Sequence, residues 1–199
     1  MNNDAIWSTV ESLRQIFAIV LALSLNEAFK QFIADRVEAP SGKSIRWDCL
    51  LALLVFLLLL VPFYHGMARY LYDVYHTPAS RPQPYSRFLL IDVISFTVEA
   101  SLFFVMSRAL RRVQWRRFYW AVVVILASDA VWGATVWLTH TQAFLPWLIL
   151  NLVFLAILGA VLMVCRTPDS RSGPVIALIA MAVRTILDYA TSWTFYFPA

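Results

Sequence analysis

The stretch "CLLALLVFLLLLVPFYHGMARY" (residues 49–70) decides the fold class. No Asp, Glu, Lys or Arg interrupts it before Arg69. A helix rising ~1.5 Å per residue crosses the hydrocarbon of a bilayer with about 20 consecutive apolar residues. This segment meets that requirement and reads as a transmembrane helix.

Working outward, the same criterion predicts spans over 12–33, 88–108, 118–139, 145–165 and 174–196, which makes six in all. Breakers separate them. "EAPSGKS" lies between spans 1 and 2, and the prolines of "HTPASRPQPYSR" exclude a continuous helix between spans 2 and 3. "RRVQWRR", "HTQAFLP" and "RTPDSRSGP" divide the rest, with Pro174 suited to a first helical turn. Span 1 carries Asn26 and Glu27, so an interfacial helix is its alternative reading. Bulk composition agrees: 61% of residues are hydrophobic and 14% charged, against about 25% charged in soluble domains. The expected architecture is an all-α, polytopic helical membrane protein, with residues 1–199 forming one transmembrane bundle and no soluble domain.

Orientation follows from the basic residues, which favour cytoplasmic loops. Lys30, Arg36, Lys43, Arg46, Arg108, Arg111, Arg112, Arg116, Arg117, Arg166 and Arg171 fall on one side, against Arg14, Arg69, Arg81 and Arg87 on the other. Both termini are therefore expected outside, in a bacterial inner (plasma) membrane. Trp47 and Trp115 mark the inner interface, and Tyr64, Tyr70, Tyr72, Tyr75, Tyr85, Trp147, Trp193 and Tyr196 the outer one. "MNNDAIWSTVESLRQ" lacks the basic region and cleavage site of a signal peptide. Cys49 and Cys165 are too few for a disulfide framework and fall at cytoplasmic helix ends.

Three motif-like features carry weaker readings. "APSGKS" ends like a phosphate-binding loop, but Val37 stands where the first glycine is required. His65, His76 and His140 are too scattered to converge on a metal, and no metal or cofactor is expected. His65, near the outer end of span 2, is kept as a pH-sensing candidate. "RALRRVQWRR" (108–117) reads first as topology-setting arginines. Its functional alternatives are anionic-lipid binding or docking of an acidic cytoplasmic partner, through Arg108, Arg111, Arg112, Arg116 and Arg117. Nucleic acid is not an expected partner.

The informative residues are polar groups at membrane depth, which are costly and face a bundle interior or a cavity. They are Asn26, Glu27, His65, Asp92, Glu99, Asp129, Asn151, Arg184 and Asp188. At ~1.5 Å per residue, Arg184 lies about 15 Å from Pro174, Asp129 about 18 Å beyond Arg117 and Glu99 about 14 Å before Arg108. All three approach the midplane of a core about 30 Å thick. Asp92, Ser95 and Glu99 form one stripe on span 3, and Arg184, Asp188 and Ser192 one on span 6. A polar core between spans 3, 4 and 6 is therefore predicted. Arg184 should pair with Asp129 or Glu99, with Asp188 alongside, and Gly133 should allow close helix approach. Trp132 and Phe96 read as packing. A weak echo between residues 14–29 and 116–132, each with an acid followed by Ala some dozen residues after Arg, raises an inverted repeat as an idea.

These groups suggest a small oligomeric channel or carrier for protons or small cations. Glu99, Asp129, Arg184, Asp188, Asp92, Glu27 and Asn26 would line or tune its path. A homo-oligomer is expected, because six short helices leave little room for a path. The alternative is a non-catalytic anchor or sensor subunit docking a cytoplasmic partner through its arginines. An integral membrane lipid enzyme ranks third, because no catalytic constellation is found.

Overall fold

A computed structural model describes residues 3–37, 47–76, 84–110, 115–139, 145–164 and 172–198. These residues form α1 (Asn3–Val37), α2 (Trp47–Tyr75), α3 (Tyr85–Arg108), α4 (Trp115–Thr139), α5 (Leu145–Val164), α6 (Ser172–Thr191) and a single turn, α7 (Trp193–Tyr196). The protein is all-helical over the described residues, and α1 to α6 are each long and apolar enough to cross a membrane.

Three boundaries differ from the sequence reading by five residues or more. α1 begins at Asn3 rather than near residue 12, and α2 runs on to Tyr75. Both extensions carry polar residues on exposed faces but bury Ile6, Val10, Leu71 and Tyr75, and that burial keeps them helical. The last span ends early: Ser192 leaves the helical region at φ −113° and ψ 26°, and α7 starts anew at Trp193.

The helices close into a ring. α1 packs against α3, α3 against α4, α4 against α5, α5 against α6, α6 against α2, and α2 back against α1. A three-helix repeat would give α4 the neighbours α5 and α6, matching α1 with α2 and α3. Instead α4 sits between α3 and α5, so the neighbour order does not follow the echo between α1 and α4.

Two local devices shape the ring. Pro62 interrupts α2 and has no N–H for the Leu58 carbonyl one turn earlier. The Thr185 hydroxyl on α6 donates to that carbonyl at 3.0 Å, so the freed acceptor becomes a tie between helices. At the α4–α5 contact, a Cβ on Gly133 would stand 2.5 Å from Cζ3 of Trp147. Only glycine leaves room for the indole to lie on α4, as the predicted close approach requires.

One end of the ring gathers the start of α1, the end of α2 and the start of α3: Trp7 packs edge-on to Tyr72 at 5.5 Å, and Tyr75 reaches Asp92. The ends of α4 and α6, the start of α5 and α7 lie at the same end, where Trp132 meets Trp147 and Arg69 donates to the Phe195 carbonyl. The outward faces are apolar. Ile16, Ile19, Val61, Leu90, Ile94, Val131, Ile149, Ile179 and Ile186 are all at least half exposed.

Candidate functional site

A cavity of about 200 Å³ lies inside the ring, walled by α2, α3, α4, α5, α6 and α7. Its charged lining residues are Asp129, Arg184 and Asp188. Tyr70, Phe96, Trp132, Trp147 and Phe195 contribute aromatic surface. Thr191 and Thr194 also line it and are exposed, so the cavity reaches the surface beside α7.

The polar groups form two clusters. In the first, Arg184 is buried and donates through Nε to Oδ1 of Asn151 at 3.0 Å, with Nη2 directed at the same oxygen. Nδ2 of Asn151 in turn donates to Oδ2 of Asp129 at 2.9 Å, and Nη2 of Arg184 stands 3.5 Å from that carboxylate oxygen. The predicted pairing of Arg184 with Asp129 is therefore present, but it is not a contact between spans 4 and 6 alone. α5 lies between those helices in the ring and supplies Asn151 as the bridge. An Asn can do this because its amide offers acceptor and donor at once.

Asp188 does not share in that bridge. Its Oδ2 accepts from the Tyr196 hydroxyl at 3.0 Å, while its buried Oδ1 has no hydrogen-bond partner. Tyr196 lies beyond α6. Burial, with the Asp188 carboxylate beside it, holds its phenol above the usual range, so the hydroxyl remains a donor. Gly66 makes room for this ring, since a Cβ there would stand 3.3 Å from the Tyr196 oxygen.

Glu99 is fully buried and neither carboxyl oxygen has a hydrogen-bond partner. Ser128 and Asp129 on α4 are its polar neighbours. Glu99 is not among the cavity-lining residues.

The second cluster is built on Asp92. Its carboxylate accepts from Tyr75 at 2.6 Å, from Trp132 Nε1 at 2.8 Å and from Tyr70 at 3.2 Å. α2, α3 and α4 meet at this one side chain, whose oxygens are both used. Asp92 thus stands apart from the Arg184 cluster, although Tyr70 and Trp132 line the cavity.

The remaining sequence candidates are scattered. Asn26 is exposed and Glu27 is half-buried, accepting from Gln31 at 2.7 Å on its own helix, so neither joins the polar core. α1 contributes nothing to the cavity lining. His65 is half-buried, with Nδ1 in hydrogen-bond contact with the Tyr189 hydroxyl at 3.2 Å and its ring 4.9 Å from that of Tyr196. Arg108, Arg116 and Arg117 are exposed, while Arg111 and Arg112 lie outside the described residues. No group of His, Cys, Asp and Glu suited to a metal occurs among the described residues.

Four site residues were read differently from sequence. Tyr70, Tyr75 and Tyr196, taken as interface markers, are buried donors to Asp92 and Asp188. Trp132, taken as packing, donates to Asp92 as well. The available signal was Asp92 itself, an acid in an apolar helix with no basic residue nearby on its own span. Such an acid needs neutral donors, and the Tyr-rich end of span 2 held them. Compared with protein-family models, with curated proteins and with solved structures, the chain gave no match to any.

Proposed function

We propose that this protein is an integral membrane carrier for protons or small cations, working through the carboxylates inside its helical ring. One observation carries the reading: Asp129, Arg184 and Asp188, at the depth of the apolar spans, line a single cavity that reaches the surface at one end. Buried ionisable groups in such spans are costly, and they are retained where charge has to be bound or moved.

Other features support the membrane setting. The exposed apolar side chains around the ring suit lipid contact and would be a liability in water. The exposed Arg108, Arg116 and Arg117 belong to the end opposite the cavity mouth. Placing that basic end in the cytoplasm opens the cavity to the other side and puts both termini there.

A carrier fits better than an open channel. Beyond the cavity the ring is filled by buried Met106, Leu110, Phe118 and Val122, so the polar path stops partway. The carboxylates would take up the cation or proton and release it after the packed half opens. One copy of the chain walls the cavity, so transport needs no pore between subunits.

The test is flux in proteoliposomes under an imposed proton or cation gradient. Wild-type protein should carry flux, and Asp129→Asn and Glu99→Gln should each reduce it at least tenfold while remaining folded. No flux under any gradient, or equal flux in both variants, overturns the reading. The exposed Arg108, Arg116 and Arg117 favour a second role, docking anionic headgroups or an acidic partner at the basic end. Replacing them with Gln should then abolish binding to anionic vesicles or co-purification of the partner without changing flux.

A further inference from the structure

The cavity has an unbalanced charge. Arg184 directs Nε and Nη2 to Asn151 and Asp129 and also neighbours Asp188 electrostatically, so one cation faces two carboxylates in the lining. Asp188 lies one turn farther along α6, lines the cavity, is 1% exposed, and keeps its buried Oδ1 without a hydrogen-bond partner. A buried carboxylate oxygen in this position calls for a donor, and a positively charged one gains most.

The surrounding walls narrow the chemistry. Tyr70, Phe96, Trp132 and Trp147 line the same space. Trp132 stands at their centre, its ring 4.8 Å from Tyr70, 5.1 Å from Phe96 and 5.5 Å from Trp147. The faces of such rings attract cations, and their area accepts apolar groups. A hard divalent cation favours several carboxylate ligands together, and no group of three His, Cys, Asp or Glu side chains suited to a metal occurs among the described residues. At about 200 Å³ the space is also smaller than the ~300–1,000 Å³ of sites for drug-sized ligands.

We propose that the cavity binds a small organic ammonium ion. Its N–H donates to Asp188 Oδ1 and its hydrocarbon part lies against the Trp132 aromatic wall. This inference rests on the carrier reading for its biological sense, since it names the substrate class of the same site, but the binding itself is measured separately. Thr191 and Thr194 mark the entrance, and the Tyr196 hydroxyl on Oδ2 holds the carboxylate in place.

The experiment is isothermal titration of the purified full chain in lipid nanodiscs with benzylammonium, benzyl alcohol and benzoate, against empty nanodiscs as blank. Benzylammonium should bind at least tenfold more tightly than benzyl alcohol, and benzoate should not bind above the blank. Asp188→Asn should weaken benzylammonium at least tenfold while leaving benzyl alcohol unchanged. If that variant does not fold, Thr191→Trp, at an exposed lining position, should block all binding by filling the entrance. Equal affinity for ammonium and alcohol, binding no greater than the blank, or benzylammonium binding undisturbed in either folded variant overturns the proposal. Proton flux that depends on Asp129 without ammonium binding would remove this inference and leave the carrier reading standing. Ammonium binding without any flux would do the reverse.

Discussion

Asn151 stands between Arg184 and Asp129, accepting from the guanidinium at 3.0 Å and donating to the carboxylate at 2.9 Å. A neutral amide thus joins two charged side chains from helices that flank its own. Asn151 is fully buried, so both of its bonds replace contacts that water cannot supply. Replacing it with Leu should strand an acceptor and a donor together and destabilise the fold by about 1–3 kcal/mol. Asn151→Asp keeps the acceptor for Arg184 but sets a buried carboxyl oxygen against that of Asp129, and at neutral pH should cost at least as much. Unfolding in mixed micelles, followed by helix content, measures both. Equal stability of wild type and Asn151→Leu would dismiss the bridge as an energetic element.

The Asp92 cluster predicts a graded series. Tyr75→Phe removes the 2.6 Å bond and Trp132→Phe the 2.8 Å bond, each at a cost of about 1 kcal/mol. Asp92→Ala removes the acceptor shared by all three donors and should exceed either single loss. Because Asp92 neither lines the cavity nor, unlike Glu99, neighbours Asp129, Tyr75→Phe should leave flux at its wild-type level per folded protein. A large flux defect in that variant would place Asp92 in the path after all.

Thr185 and Pro62 should be coupled. Thr185→Val leaves the Leu58 carbonyl without its donor, at about 1 kcal/mol. Pro62→Ala restores a backbone N–H that can reach the same carbonyl. In the Pro62→Ala background, Thr185→Val should therefore cost markedly less. A double-mutant cycle reads the coupling directly. Simple additivity would show that the hydroxyl does not serve the freed carbonyl.

Gly133 and Gly159 make a matched pair. A methyl on Gly133 collides with Trp147, whereas nothing lies within 4 Å of one on Gly159. Gly133→Ala should destabilise by about 1–3 kcal/mol through overpacking. Gly159→Ala should be neutral or gain up to about 1 kcal/mol from helix propensity. The comparison of unfolding midpoints separates packing from propensity, and a stabilised Gly133→Ala would contradict the observed approach of α4 and α5.

Much of the architecture was legible along the chain. Residues 49–70 announce a span by length and hydropathy alone, and α5 matches its prediction to within a residue at each end. The depth of Arg184 and Asp129 follows from counting helical rise, which is why their pairing could be anticipated. The boundary errors have local causes: α1 and α2 continue as helix through polar residues because one face stays buried, and hydropathy does not report which face that is.

The sequence by itself determined the helical class, the number of helices long and apolar enough to cross a membrane, and the set of polar residues obliged to find partners. These depend on composition and on rise per residue, which are properties of each segment alone. The choice among partners was decided only by tertiary structure. Nothing in the order of residues says that α5 rather than α3 stands between α4 and α6, so nothing says that Asn151 rather than Glu99 meets Arg184. The same holds for the tyrosines at the end of α2. Their ring hydroxyls suit an interface or a buried carboxylate equally well, and the packing of α3 against that end made Asp92 their acceptor.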